Sequence, residues 1–161
     1  MPPGTGDLRD ADYRALARFR HLIRRFLAFS EEAARRSGLQ PQQHQLLLAV
    51  RGLPERTAPT VGALAWQLQL RHHSVVELAD RLVRLGFAVR RRNPGDQREV
   101  WIGITPKGKR VLRKLSVIHR QELRRAAPEL LPAFAVLFES PTVEREPSHV
   151  RAPRRPARPR R

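Results

Sequence analysis

The chain has 161 residues, enough for one domain with a hydrophobic core, and carries 32 Lys and Arg against 15 Asp and Glu, a formal net charge of +17. So basic a chain favours a polyanionic partner, nucleic acid first and an anionic membrane surface second. It contains no cysteine, which excludes disulfides, thiol-based oxidant sensing and cysteine zinc sites. It also has no signal peptide and no apolar run long enough to cross a bilayer, so we expect a cytoplasmic protein without a membrane partner.

The N-terminal part of the chain predicts one long helix after a flexible start. Residues 1–9 are rich in proline and glycine and offer little to pack, whereas residues 10–36 show helical periodicity. Two apolar stripes follow this helix, one through Leu16, Phe19, Ile23, Phe26 and Ser30 and one through Leu22, Phe29 and Ala33. Two stripes exceed what one small domain covers, so we expect a partner helix.

Three further helices are predicted before residue 87. Pro41 should open the first, with Leu46, Leu47, Leu48 and Val50 in the core and its end at Gly52. Thr60 can cap the second, whose apolar face is Val61, Leu64, Ala65 and Leu68. After a short polar break, a buried stripe of Val75, Leu78, Ala79 and Leu82 predicts the third, which should stop at Gly86.

A hairpin and a return to helix complete the pattern. Alternation over residues 87–92 and 100–104 predicts two strands, and Thr105-Pro106 should start a helix that Pro128 breaks before a short apolar segment. We therefore expect a mainly α fold: a winged helix-turn-helix with a β-hairpin wing between long N- and C-terminal helices. Surplus apolar surface on both terminal helices favours a two-fold dimer, and a monomer that folds those faces inward is the alternative.

The exposed side of the helix over residues 75–82 suggests what this unit binds. A polar, donor-rich helix on a two-helix corner suits the major groove of DNA, and long cations at a hairpin tip suit phosphates or the minor groove. We expect base contacts from His73, Ser74, Val76 and Glu77, phosphate contacts from His72, Arg81 and Arg84, and wing contacts from Arg92 and from Arg98 oriented by Asp96. The alternatives are a solvated helix with an arginine-rich loop, and a nonspecific architectural or anionic-surface binder.

Several segments of this region resemble the MarR family of bacterial transcriptional regulators. They are Val61-Gly62-Ala63-Leu64-Ala65, residues 75–82, Leu85-Gly86, residues 90–92, Asp96-Gln97-Arg98 and Ile104-Thr105-Pro106-Lys107-Gly108. The similarity spans about residues 10–140, with two departures. The family often has a small hydroxyl residue where Arg71 stands and a basic residue where Glu77 stands.

The resemblance implies an organisation and a function. Residues 10–140 would form one domain, with dimerisation helices at 10–36 and 107–139 and a DNA-binding lobe at 41–105. The protein would be a homodimeric transcriptional regulator that binds specific sequences in double-stranded DNA. It would be a repressor, as is usual in the family, and a small aromatic or anionic ligand would release it from the DNA. Such a ligand would lie in a crevice for which we name Tyr13, His21, Phe26, His44, Leu47 and Trp66, each of which also fits ordinary packing.

The sequence contains no motif for catalysis or metal binding that would add a further function, and it ends in a basic, proline-rich segment. No hydrolytic motif or glycine-rich phosphate loop is present, so we expect no enzyme and no cofactor. His119 and Glu122 share a helix face and would permit a metal, but a surface pair is the simpler interpretation and we expect no metal site. Residues 141–161 hold seven arginines, two glutamates and several prolines, and we expect a disordered tail that either adds phosphate contacts or has no role.

Overall fold

The computed structural model describes residues 8–93, 95–96 and 99–138. This part of the chain forms five helices and two strands, in the order α1 (Asp10–Arg36), α2 (Pro41–Gly52), α3 (Val61–Leu68), α4 (His72–Arg84), β1 (Ala88–Arg92), β2 (Val100–Ile104) and α5 (Pro106–Phe138). The order confirms the predicted mainly α winged helix-turn-helix. The expected disordered tail, and the flexible N-terminus apart from Leu8 and Arg9, lie outside the described residues.

Helices α1 and α5 pack against each other along most of their length. Phe19 meets Phe134 with ring centroids 4.7 Å apart, and Phe26, two turns further along α1, meets His119 at 5.9 Å. The partner in α5 therefore moves toward its N-terminus as α1 advances, so the two helices are antiparallel. Glu129 of α5 adds ion pairs to Arg18 and, at 3.9 Å, to Arg25.

The main core lies between α2, α3, α4, the hairpin and the first half of α5. Its side chains come from every one of these elements, so the winged unit and α5 share one hydrophobic cluster rather than two. Burial of each leucine or isoleucine side chain contributes about 2 kcal/mol to the free energy of folding. The largest fully buried side chains of the cluster are Leu39, Leu46, Leu47, Leu64, Val75, Leu82, Ile102 and Leu115.

A side-chain cap, a proline and a glycine lie at the helix boundaries that the sequence predicts. The Thr60 hydroxyl accepts the Ala63 N–H at 3.1 Å at the start of α3, and Pro41 occupies the first turn of α2. Gly86 follows α4 with a φ of +74°, a left-handed conformation that favours glycine. These local signals fixed the helix boundaries correctly.

The hairpin has a third, short neighbour that the sequence did not indicate. β1 and β2 pair antiparallel with Ala88 opposite Ile104 and Arg92 opposite Val100. The Ile102 N–H donates to the Pro59 carbonyl at 2.9 Å, and Thr60 forms an isolated bridge with Trp101. The segment before α3 thus covers the outer edge of β2 and anchors the wing to the helical core.

The predicted break at Pro128 is wrong, because α5 continues through Pro128 and Pro132 to Phe138. A proline inside a helix removes one N–H and leaves the carbonyl four residues earlier without its partner. Those carbonyls belong to Arg124 and Pro128, which are exposed, as Pro132 is. Water can therefore satisfy both acceptors, and packing of the apolar face on α1 keeps the helix continuous.

Leu48 is a second correction, because 46% of it is exposed although it was expected in the core. Leu46 and Leu47 fill the core side of α2, and Gln43 and His44 lie one turn earlier on that side. Leu48 lies about 200° around the helix from Leu46, so it faces away from the core side that Leu46 fills. None of the helices in the described part of the chain is both long and apolar enough to span a membrane.

Candidate nucleic-acid interface

Helix α4 divides cleanly into a buried face and an exposed face. Val75, Leu78, Ala79 and Leu82 are buried, as predicted. The structure leaves five of the polar candidates on this helix exposed and places Ser74 and Val76 at the boundary, partly buried. The exposed five are His72, His73, Glu77, Arg81 and Arg84. One helix therefore presents imidazole, hydroxyl, carboxylate and guanidinium groups along a single outer surface.

The start of α4 differs from the starts of α3 and α5. Arg71 precedes it with extended backbone and makes no side-chain hydrogen bond to the helix, whereas Thr60 and Thr105 cap the other two. The N–H groups of a first helical turn carry partial positive charge. The N-terminus of α4 therefore stabilises an anion near His72 and His73. A phosphate group would fit this description, and the candidates for base contacts lie at the same end of the helix.

A sharp turn sets the angle between α3 and α4. Gln69 adopts a φ of 54° and a ψ of 40°, in the left-handed region, and its N–H donates to the Trp66 carbonyl at 3.2 Å. The Leu70 N–H reaches the Ala65 carbonyl at 3.0 Å. A non-glycine residue in this conformation costs on the order of 1 kcal/mol. No local pattern predicted this turn at Gln69, because glutamine is not typical of left-handed turn positions.

Ion pairs organise the exposed surface of α4 and connect it to the wing. Arg81 lies 3.3 Å from the Glu77 carboxylate one turn away, so two DNA-contact candidates pair with each other in the free protein. Arg90 of β1 lies 2.7 Å from Asp80 of α4. All four side chains are substantially exposed, so each pair contributes less than about 1 kcal/mol to stability. Their role here is to orient side chains.

The turn of the wing is held at its base by the carboxylate of Glu99, a role that no local sequence pattern indicated. Glu99 accepts hydrogen bonds from the Asn93 side-chain amide at 2.6 Å and from the Trp101 indole N–H at 2.7 Å. The Asn93 N–H donates to the Glu99 carbonyl at 2.9 Å, closing the base of the turn. Arg92 and Asp96 are exposed, whereas the predicted minor-groove residue Arg98 lies outside the described residues.

Thr105 and Lys107 fasten the hairpin to the end of α4. The Thr105 hydroxyl lies 2.7 Å from the Gly86 carbonyl oxygen and accepts the Gly108 N–H at 3.1 Å. The Lys107 ammonium donates to the Leu85 carbonyl at 2.8 Å and lies 4.5 Å from the centre of the Phe87 ring. Residues 105–108 thus fix α4, the wing and α5 relative to one another.

The six candidate effector residues occupy different parts of the structure. Tyr13 and His21 are exposed on α1, and Leu47 is fully buried in the core. Trp66 is 82% exposed and lines a surface cavity with its α3 neighbours. Among the described residues, ring contacts join Phe26 and His44 of this set, both through His119.

His44 and His119 form a buried pair between α2 and α5. They are 3% and 8% exposed, their ring centroids are 4.8 Å apart, and Phe29 packs edge-on against His119. The Nε2 atom of each ring has no hydrogen-bond partner among the described residues. Burial and, second, the neighbouring His119 lower the pKa of His44 from 6.5 to about 4. Burial also lowers the pKa of His119, against a smaller opposing effect of the Ser30 backbone.

The expected pairing of His119 with Glu122 at the surface is therefore wrong, since His119 is turned into the protein. Glu122 lies 3.9 Å from Arg125 instead. In the part of the chain that the structure describes, no group of three or more His, Cys, Asp or Glu side chains is placed to hold a metal ion.

Helix-turn-helix, wing and a basic, donor-rich recognition surface together define a DNA-binding protein. The sequence model of the MarR family matches residues 37–99. The chain is 31% identical over 122 residues to the HTH-type transcriptional regulator YkoM of Bacillus subtilis, covering 74% of this chain and 77% of that protein. The chain belongs to the MarR family, and it is a transcription regulator, not an enzyme.

Solved structures share the fold. AbsC, a MarR family regulator of Streptomyces coelicolor, superimposes with a TM-score of 0.62 at 19% identity over 78% of this chain and 84% of AbsC. A MepR variant of S. aureus bound to an oligodeoxyribonucleotide gives 0.58 at 18% identity, over 68% and 79%. CouR of Rhodococcus jostii bound to p-coumaroyl-CoA gives 0.58 at 18% identity, over 74% and 89%.

Proposed function

We propose that the protein is a homodimeric repressor that binds a pseudo-palindromic site in double-stranded DNA and is released by a small ligand. The observation that carries the proposal is α4: its apolar face is fully buried, and its opposite face exposes donors and acceptors beside a basic wing. A helix held in this way on a two-helix corner enters the major groove as a rigid body. Regulation of transcription requires access to DNA, so we propose a cytoplasmic location.

We assign the base contacts to the N-terminal half of α4. His73, Ser74, Val76 and Glu77 would lie nearest the base edges, Val76 against a thymine methyl group and Glu77 accepting from a cytosine amino group. His72, Arg81 and Arg84 would hold phosphates on either side of the groove. The Glu77–Arg81 pair, 3.3 Å apart in the free protein, supports a surface in which the carboxylate is oriented before DNA arrives.

The wing would contact DNA beside the recognition helix. Arg92 is exposed at the tip end of β1, and Asp96 is exposed in the turn. We propose that Arg98, oriented by Asp96, enters the minor groove, where guanidinium groups are attracted to the negative potential. The hydrogen bonds of Glu99 to Asn93 and Trp101 would keep the base of the wing rigid during this contact.

Apolar surface left over on α1 supports the homodimer. Tyr13, Leu16, Ile23 and Leu27 recur at helical spacing and are 38–58% exposed, although the other face of α1 already packs on α5. Leu131 and Phe138 of α5 are also exposed. A second copy would cover these side chains by a two-fold axis and set two α4 helices about one turn of DNA apart.

Release by a ligand is the regulatory part of the proposal. A MarR relative that binds p-coumaroyl-CoA supports a small effector for this chain. An effector that prefers a dimer in which the two α4 helices no longer match successive major grooves would lower DNA affinity by shifting the population. Phe26 and His44, which both contact His119, are the part of the predicted crevice that we retain as a candidate.

Selection of random duplexes by the purified protein at physiological salt tests the proposal against a charge-driven, nonspecific binder. Enrichment of an inverted repeat with half-site centres roughly one helical turn apart is the expected result. A nonspecific binder would enrich nothing beyond bulk composition, and its binding would vanish for all duplexes together as salt rises. That outcome would overturn the proposed function.

A further inference from the structure

The outward face of the first half of α5 carries a row of cations, which we call the α5 basic stripe. The opposite face of the same segment is buried through Gly108, Leu112, Leu115 and His119. At a rise of about 1.5 Å per residue, the stripe is about 22 Å long. Its six members, all exposed, are Lys109, Arg110, Arg113, Lys114, Arg120 and Arg124.

No carboxylate balances the charge of the stripe. Glu122, the one acidic residue among residues 106–125, is only partly exposed and lies 3.9 Å from Arg125. None of the six stripe side chains forms an ion pair with a residue that the structure describes. On α1, by contrast, Arg35 and Arg36 each pair with a glutamate one turn away.

The spacing of the stripe residues makes the free helix less stable. Several members are four residues apart, as Arg120 and Arg124 are, and are therefore neighbours on the helix surface. Like charges at this spacing destabilise a helix, whereas the glutamates of α1 stabilise theirs. A solvated face gains nothing from this repulsion. An anionic partner bound along the stripe would remove the repulsion by neutralising neighbouring charges.

The length and the residue types of the stripe fit the phosphates of a DNA duplex. A small anion would contact two or three of the cations and leave the others uncovered. Phosphates follow one another at about 3.4 Å along each strand, so a stripe about 22 Å long spans roughly six of them. Most of the stripe residues are arginines, which hold phosphates by paired hydrogen bonds. A second copy of this chain fits poorly, since it would bring a surface of like charge.

The stripe is separate from the proposed DNA contacts of α4 and the wing. It shares no residue with them, and it lies on a helix that leads away from the hairpin. Gly108, at the start of α5, lies against the backbone of Phe87, and Arg124 is about 24 Å further along the helix. We therefore assign the far end of the stripe to a different segment of DNA.

We propose that the α5 basic stripe is a second DNA-binding surface, which holds the phosphate backbone of another duplex segment without reading its sequence. Arg113, Arg120 and Arg124 donate forked hydrogen bonds to phosphates, and the remaining members add charge. With α4 engaged at its own site, the stripe lets the protein bring two segments of DNA together. This consequence rests on the proposed function, whereas the binding of phosphates by α5 does not.

Capture of a second duplex tests the stripe. The full chain is loaded on an immobilised duplex, kept in excess so that every α4 is occupied, and a labelled duplex of unrelated sequence is added. The wild type should retain the labelled duplex, less so as salt rises. Arg120→Gln with Arg124→Gln should weaken this capture at least about fivefold, and should change binding to the immobilised duplex less than about twofold.

Arg35→Gln with Arg36→Gln is the matched control. It removes the same positive charge from exposed positions on another helix, and it should change the capture less than about twofold. Urea denaturation separates binding from folding. The variant with Arg120→Gln and Arg124→Gln should be at least as stable as the wild type, because glutamine is a good helix former and like-charged neighbours are removed.

Three results would overturn the proposal. An equal loss of capture in both double variants would show that net charge alone matters. Capture that persists when Arg120 and Arg124 are replaced would assign the second duplex to the other α4 of a dimer. Stronger capture of single-stranded RNA or of phosphatidylserine vesicles than of duplex DNA would show that DNA is not the partner.

Failure of the stripe and failure of the proposed function give different results. If selection of random duplexes enriches no sequence but the stripe still captures the labelled duplex, the second surface stands and sequence-specific regulation fails. If selection yields an inverted repeat but the Arg120→Gln and Arg124→Gln variant captures like the wild type, the proposed function stands and the second surface fails.

Discussion

Gly108 at the start of α5 lies directly against the backbone of Phe87, so that a Cβ atom at Gly108 would overlap the Phe87 carbonyl oxygen and lie 2.8 Å from the Ile104 side chain. The Thr105 hydroxyl, which accepts the Gly108 N–H at 3.1 Å, also lies 3.1 Å from that same carbonyl oxygen. The close approach lets α5 begin immediately beneath the hairpin, and it gives a physical reason for glycine in the Thr-Pro-Lys-Gly segment.

Gly108→Ala should therefore destabilise the protein by roughly 2–3 kcal/mol, because backbone rather than a flexible side chain must move. Urea denaturation monitored by circular dichroism measures this change. Gly62→Ala is the matched control, since a Cβ there meets only the Thr60 hydroxyl at 3.9 Å. Alanine at this helical position should stabilise by about 0.5–1 kcal/mol. Equal effects of the two substitutions would contradict the proposed contact.

The buried histidine pair predicts a loss of stability in mild acid. His44 has a pKa of about 4 in the folded protein and 6.5 as its ordinary value, so between these limits the unfolded chain binds a proton that the folded chain does not. The contribution of uncharged His44 to the free energy of unfolding is therefore fully present above pH 6.5 and is lost as the pH falls toward 4. The lowered pKa of His119 acts in the same direction. For His44 the loss amounts to roughly 3 kcal/mol.

His44→Leu isolates this effect from the carboxylates, which titrate in both proteins. The free energy of unfolding, measured by urea denaturation from pH 7.5 to 4.5, should fall less steeply for the variant than for the wild type. Parallel curves would show that the pair does not control the pH dependence.

Arg81 and Arg84 should contribute unequally to DNA affinity, although both were assigned to phosphates. Arg81 must give up part of its pairing with Glu77 when it binds a phosphate, whereas Arg84 has no ion pair among the described residues. Arg84→Ala should therefore weaken binding more than Arg81→Ala, and each should lower the salt slope by about 1. Fluorescence anisotropy at several salt concentrations measures both, with Arg36→Ala on α1 as the control. The assignment fails if Arg36→Ala has the larger effect.

The dimer depends on the uncovered stripe of α1. Ile23→Glu combined with Leu27→Glu should give a folded monomer, because both side chains are substantially exposed in the single chain. Sedimentation velocity gives the mass, and circular dichroism confirms that the helices remain. Leu85→Glu, at a leucine that is 43% exposed after α4, should remain dimeric. A wild-type monomer, or a dimer unaffected by the α1 changes, would contradict the proposed interface.

Local signals in the sequence predicted the elements well because each depends on neighbours a few residues away. The buried stripe of α4, the Thr60 cap and the stop at Gly86 follow from helical spacing and capping chemistry. The break at Pro128 failed for the opposite reason. Whether a proline ends a helix depends on the partners of one carbonyl and on packing against α1, neither of which is visible locally.

In the candidate site, too, features of a single helix were predictable, whereas contacts between distant helices were not. Exposure of His73, Glu77 and Arg81 was predictable from the periodicity of one helix. The contact of His44 with His119 brings together helices that are far apart in the sequence. Only the packing of α2 on α5 determines these neighbours, so no pattern in either helix alone indicates them.

The central claim is that the exposed face of α4 determines which DNA sequence the protein binds. Selection of random duplexes by the Glu77→Gln variant and, in parallel, by the wild type tests this claim most directly. A carboxylate only accepts hydrogen bonds, whereas an amide also donates and prefers adenine. The account predicts an inverted repeat for both proteins, with a changed base at one symmetric position in each half-site and the remaining positions unchanged. Identical base preferences at every position would show that Glu77 does not contact the bases, and the absence of any enriched repeat would contradict sequence-specific recognition by α4.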